Sequence, residues 1–180
     1  MTITPDDPIP PDEKDWTWVL DQPCPDCGFD ARSLDVRATG VAVRANAAAW
    51  PAVLERDDVR IRSDERTWSA LEYACHVRDV LTLFDQRLQM MLDQHDPLFP
   101  NWNQDTTAVD DRYGEQDPMV VAEQLVKAGE AVAARFDAVE DDQWQRPGRR
   151  SDGASFTVDS FARYLLHDPV HHLWDVRGEA

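Results

Sequence analysis

Trp68-Ser69-Ala70-Leu71-Glu72-Tyr73-Ala74-Cys75-His76-Val77-Arg78-Asp79-Val80-Leu81-Thr82-Leu83-Phe84 decides the fold. Within it Ala74, Val77, Val80, Leu81 and Phe84, and beyond it Leu88 and Met91, recur at intervals of three and four residues. That is the period of one face of an α-helix, not the alternation of a strand. Thr67 or Ser69 stands where a cap is needed, and Glu72 lies in the first turn, where an acidic side chain answers unpaired backbone N–H groups. A long helix with one apolar stripe has to bury that stripe against other elements.

The flanking sequence supplies partners of the same kind. Ser33 is placed to cap a helix to about Glu55, with Leu34, Val36, Val41, Val43, Ala47, Ala48 and Trp50 as its apolar surface and Pro51 as a kink. Asp117-Pro118 has the cap and first-position signature of a third helix, with the stripe Val121, Leu125, Ala128, Val132, Phe136 and Val139. Thr157 opens a fourth. No strand-rich region and no internal repeat interrupts them. The expected fold is therefore all-α, a four-helix bundle. A long loop from Gln94 to Asp117, rich in Pro, Asn, Asp and Gly, separates helices two and three; a loop of that length reads as a flap over a site. An irregular leader of residues 1–30 precedes a bundle of residues 31–180. The leader is proline-rich at its start, where residues 1 to about 15 read as extended or disordered, passes through Trp16-Thr17-Trp18-Val19-Leu20 as a short strand or packed strip, and ends in a C-x-x-C turn.

With 180 residues one core is expected, and a net charge of −17 repels the phosphates of nucleic acid and of anionic membranes. The first residues lack a secretory pattern and no apolar run could span a bilayer, so the expected location is the cytoplasm and the expected partner a small-molecule substrate.

The chemistry is concentrated in Leu165-Leu166-His167-Asp168-Pro169-Val170-His171-His172-Leu173-Trp174-Asp175-Val176, which holds three of the five histidines. Two pairs have the i, i+4 spacing that puts donors one turn apart on a helix: His167 with His171, and Asp168 with His172. On a helical wheel Asp168 and His172 lie at the edge of the apolar sector formed by Val158, Phe161, Ala162, Leu165, Leu173 and Val176, with Asp175 close by. His167 and His171 project roughly opposite. A buried carboxylate and imidazole each carry a desolvation cost that a shared divalent cation relieves, and His76 on the second helix is placed to complete a three-ligand set. The alternative stays open: a helix restarted at Pro169 with Asp168 as its cap shifts the phase and brings His167 and His171 inward. Cys24 and Cys27, on a tight turn ending in Gly28, offer a separate metal site of zinc-knuckle type that lacks two of the usual four ligands; two semi-buried thiols without metal satisfy the same pattern. Trp68, Trp144 and Trp174 read as core or bundle-end packing.

Trp68-Ser69-Ala70-Leu71-Glu72-Tyr73-Ala74-Cys75-His76 resembles the W-S-x-x-E-x-x-x-H signature on the second helix of the DinB superfamily, and His172-Leu173-Trp174-Asp175-Val176 resembles the segment holding its last metal ligand. The resemblance spans about residues 33 to 177. It implies a four-helix bundle binding a divalent metal, zinc or nickel, through one His on the second helix and two residues four apart on the last. Carried over by position, these are His76, Asp168 and His172. Where Asp168 stands, the family has His, or Glu in its mycothiol-dependent maleylpyruvate isomerase branch. The resemblance further implies a thiol S-transferase or isomerase that uses a metal-held thiolate, with mycothiol as cosubstrate, and pairing as a homodimer. Asp175 or Glu72 would orient an imidazole, and Arg78 or Arg112 would receive substrate carboxylates. A metal-dependent hydrolase uses the same ligands, and a non-catalytic bundle acting through its leader is the alternative from another class.

Overall fold

The computed structural model describes residue 9 and residues 15–177; the proline-rich start of the leader lies outside the described residues apart from residue 9. Among the described residues six α-helices are present: α1 (Thr39–Ala47), α2 (Trp50–Leu54), α3 (Ala70–Asp93), α4 (Gln104–Asp110), α5 (Pro118–Asp137) and α6 (Val158–Arg177). Three short strands, β1 (Leu98–Phe99), β2 (Pro147–Arg150) and β3 (Ser155–Thr157), form one small sheet in that order. β1 runs parallel to β2 with Leu98 opposite Arg149, and β2 antiparallel to β3 with Gly148 opposite Phe156.

The bundle is made by α1, α3, α5 and α6. α3 packs on α5 and α6, and α1 packs on the same two helices, so the order around the bundle is α1, α5, α3, α6. Helices next in sequence, α1 and α3 or α5 and α6, therefore sit across the core from each other, and α3 and α6 become neighbours. The core between them holds Leu71, Leu81, Leu88, Leu125, Val132, Phe161 and Leu165, all almost fully buried.

The sequence anticipated α3 and α5 well. Ser69 caps α3 in a complete capping box with Glu72, and Asp117 accepts from Met119 and Val120 N–H with Pro118 in the first turn of α5. Thr157 Oγ1 accepts from Ser160 N–H at 3.2 Å as α6 begins. Other expectations are corrected. The first helix begins at Thr39, not after Ser33, which ends its own 3₁₀ turn (Ala31–Ser33). Asp30 and Asp35 each cap a 3₁₀ turn before the helix, because a short Asx side chain takes the N–H two residues on. Trp50-Pro51 begins α2 as a separate helix, since proline fits a first turn and breaks an interior. Trp16–Leu20 is a 3₁₀ helix rather than a strand, with Asp15 as its cap. The 94–117 segment is not structureless: it contributes β1 and α4, and it buries Phe99 and Tyr113. Pro169 does not restart the helix. α6 runs through it unbroken, and its carbonyl accepts from Asn46 Nδ2 at 2.8 Å.

Candidate metal centre

Because α6 keeps its phase through Pro169, Asp168 and His172 face α3 and meet His76 there. One ligand atom from each of the three residues lies within 4.8 Å of the other two. His76 Nε2 is 3.3 Å from Asp168 Oδ2, and His172 Nε2 is 3.9 Å from the same oxygen. Nitrogen and oxygen donors at about 2.0–2.1 Å from a tetrahedral ion are separated by about 3.3–3.4 Å, so the set is close to coordination spacing.

The surroundings fit a cation. His76 is 1 % exposed, and its Nδ1, like Asp168 Oδ1, is buried without a hydrogen-bond partner. Burial alone would raise the Asp168 carboxyl, but the imidazoles of His76 and His172 outweigh it and hold the group at about 2, so a full negative charge stands in the site at neutral pH. Asp175 Oδ2 accepts from His172 Nδ1 at 2.8 Å, an arrangement that fixes the tautomer and leaves the Nε2 lone pair on the side of Asp168, free for a cation. Trp102 stacks on His76 with rings 5.5 Å apart and 13° from parallel, while Trp68 leans on it from another side at 5.3 Å. The 94–117 segment thus reaches the centre through Trp102, and the Trp68 of the sequence motif is packing for the ligand.

The centre opens into a cavity of about 300 Å³. Tyr73, Asn101, Trp102 and Gln104 line it on one side, Val80, Leu83 and Phe84 supply an apolar patch, and Arg87, Arg150 and Tyr164 supply polar groups. Arg87 is buried, its guanidinium lying 4.9 Å from the Phe99 ring centre, its Nη2 donating to Pro100 O at 2.7 Å and its Nε without a partner. Burial and the neighbouring Arg150 push its pKa down to about 10. Neither arginine was legible as a site residue, since each is one of many in the chain and only the fold turns them inward. Arg78 and Arg112 do not line the cavity. Arg78 is held by Asp79, Gln116 and Gln124, and Arg112 is exposed beside Glu115 in a left-handed turn. Glu72 does not orient an imidazole either; it pairs with Arg62 and caps Ser69.

His167 and His171 do not join His76. They project from α6 toward the leader, where they meet Cys24 and Cys27. Trp16 packs on both rings, at 5.5 and 5.6 Å, and Phe29 packs on His167 at 5.9 Å. Burial pushes His167 down to about 4 and lowers His171 as well, so both imidazoles are neutral at pH 7 and free to donate lone pairs.

Fold and site together define a four-helix bundle that brings three candidate metal donors together from α3 and α6. The family model of the DinB superfamily matches residues 39–176, and the chain belongs to that superfamily. No curated protein matches it. Among solved structures it is similar to YfiT from Bacillus subtilis, described as a probable metal-dependent hydrolase with an unusual four-helix bundle topology. The two share 13 % identity at a TM-score of 0.62, over 99 % of this chain and 100 % of that one. At this identity the likeness is one of fold. Among the described residues no helix is long and apolar enough to cross a membrane.

Proposed function

We propose that the protein is a metal-dependent enzyme that holds a divalent cation, zinc or nickel, on His76, Asp168 and His172 and hydrolyses a small substrate carrying an anionic group. The observation that carries this reading is the convergence of three donors from two helices, two of which, Asp168 and His172, line a cavity, with no fourth protein donor in the set among the described residues. When bound, a divalent cation supplies Lewis acidity, drawing a proton from a nucleophile at neutral pH and polarising the bond to be cleaved.

The chain's own residues do the rest. Two imidazoles and one carboxylate would leave a bound dication with net positive charge, which would favour an anionic nucleophile. Asp175 keeps His172 in the ligating orientation. Trp102 and Trp68 shield His76 from water. Arg87 and Arg150 receive the anionic group, and Tyr164, whose hydroxyl is 3.3 Å from Arg150, stands beside them. The size of the cavity favours water as the nucleophile: about 300 Å³ is at the small end of ligand sites and suits one small molecule. YfiT, described as a probable hydrolase, has the same fold.

Transfer to a low-molecular-weight thiol such as mycothiol is the second reading. The apolar patch of Val80, Leu83 and Phe84 favours it, since a thiolate sulfur tolerates such a wall better than water does. Metal-loaded protein assayed against small carboxylate-bearing amides and esters, with and without added thiol, separates the two. Turnover without thiol that disappears in His76→Ala and Asp168→Ala is expected. Turnover only with thiol selects the second reading, and turnover that survives both substitutions removes both.

A further inference from the structure

The leader and α6 bring together a second donor set that the reaction does not use. Cys24, Cys27, His167 and His171 each offer a ligand atom, all within 4.8 Å of one another. Both cysteines are buried free thiols, and Cys27 is pushed up to about 11 by burial and by its contact with Cys24. The turn that carries them is built for one small object. Cys24 N–H donates to Phe29 O at 2.8 Å, Gly28 N–H donates to Cys24 O at 3.0 Å, and Gly28 has φ +74°, a value that lets the chain curl back without a Cβ. Cys24 Sγ lies 3.5 Å from His171 Nδ1. Around a tetrahedral zinc, with Zn–S about 2.3 Å and Zn–N about 2.0 Å, the sulfur-to-nitrogen edge is about 3.5 Å. His167 Nε2 is buried with no hydrogen-bond partner, and His171 Nε2 faces Asp175 Oδ1 at 3.8 Å, as an outer carboxylate faces a ligating histidine.

We propose that Cys24, Cys27, His167 and His171 form a closed tetrahedral site for a structural zinc ion, which pins the leader to α6. Four protein donors of this type leave no position for substrate, which separates the site in kind from the three-donor centre. The clamp also shapes the cavity, because Trp16 and Asp26, on either side of the first cysteine, form part of its lining together with His167 and His171. Asp175 stands between the two centres, one carboxylate oxygen on His172 and the other facing His171.

Cobalt replacement tests this on the full chain. Cobalt held by thiolates gives an intense near-ultraviolet charge-transfer band that nitrogen and oxygen donors do not give. The cobalt-loaded wild type is expected to show that band. The Cys24→Ser/Cys27→Ser protein is expected to lose it and to bind one metal fewer per chain, while the His76→Ala/His172→Ala protein keeps it. Hydrogen exchange of residues 15–30 is expected to rise in the cysteine variant and on treatment of wild type with a mercurial that displaces zinc from thiolates. The mercurial arm does not depend on the variant folding. A wild type without the band, a band that persists in the cysteine variant, or a Cys24–Cys27 disulfide in the isolated protein overturns the proposal, and none of these outcomes bears on the three-donor centre.

Discussion

Asp175 shows how much chemistry one side chain can carry. It touches no metal, yet its two oxygens address His172 at 2.8 Å and His171 at 3.8 Å. Removing the carboxylate of such an outer partner lowers metal affinity by about 10–100-fold, so Asp175→Asn is expected to weaken zinc binding to that extent in competition titrations against a chelator. A substitution that left affinity unchanged would show that the imidazoles are held by packing alone. Asn46 plays the corresponding structural part: its Nδ2 donates to Pro169 O and its Oδ1 accepts from Trp50 Nε1 at 3.2 Å. Asn46→Leu strands the buried indole N–H and should cost about 1–3 kcal/mol in urea unfolding. Asp175 was readable from sequence because it follows His172 by three residues, one helical turn. Asn46 was not, since its bond to Pro169 is set by the packing of α1 on α6 more than a hundred residues away, even though Trp50 is only four residues on.

At the level of elements, the start of α3 is fixed by a buried ion pair, and α6 presents donors on two faces. Glu72 was legible as part of a cap, but Arg62, ten residues upstream in a connection, was not. The structure buries both, at 4 and 6 % exposure, in one ion pair that also satisfies Ser69. Arg62→Ala leaves a buried carboxylate without its cation and is expected to cost about 3–5 kcal/mol, read as a drop in the urea midpoint. The exposed pair Arg37 with Asp141, at 59 and 87 % exposure, is the control: Arg37→Ala should change stability by about 1 kcal/mol or less. In α6 the two i, i+4 pairs read as competitors for one metal, and the pair that wheel phase favours, Asp168 and His172, is the one the structure brings beside His76. The wheel describes one helix, however, and calls any residue off the core face solvent-facing. It could not show that the leader folds back over that second face and supplies Cys24 and Cys27. Both pairs thus have partners, about 100° apart around the same helix.

At the scale of the whole molecule, the order α1, α5, α3, α6 is what puts His76 beside Asp168 and His172, and no single helix encodes that order. The apolar stripes specify that four helices associate; loop lengths and side-chain fit decide which are neighbours. The same arrangement turns Arg87 of α3 and Arg150 of β2 into one cavity, leaving Arg87 buried with an unpartnered Nε and a pKa lowered to about 10. The sign of its contribution follows. A basic group whose folded pKa lies below its unfolded value is charged at a cost to folding throughout neutral pH, and that cost fades only as pH rises through about 10 toward the unfolded value. Arg87→Met is therefore expected to leave stability at pH 7 unchanged or to raise it by up to about 2 kcal/mol, since the lost bond to Pro100 and the contact with Phe99 offset part of the gain. Metal content should not change. Binding of small carboxylates, followed by calorimetry on metal-loaded protein, should fall by at least about tenfold, the loss of one charge-assisted contact. A variant that is less stable and still binds carboxylates would mean that Arg87 serves the fold. The expected result, greater stability with weaker anion binding, would mean that the protein keeps a poorly solvated cation because its substrate completes it.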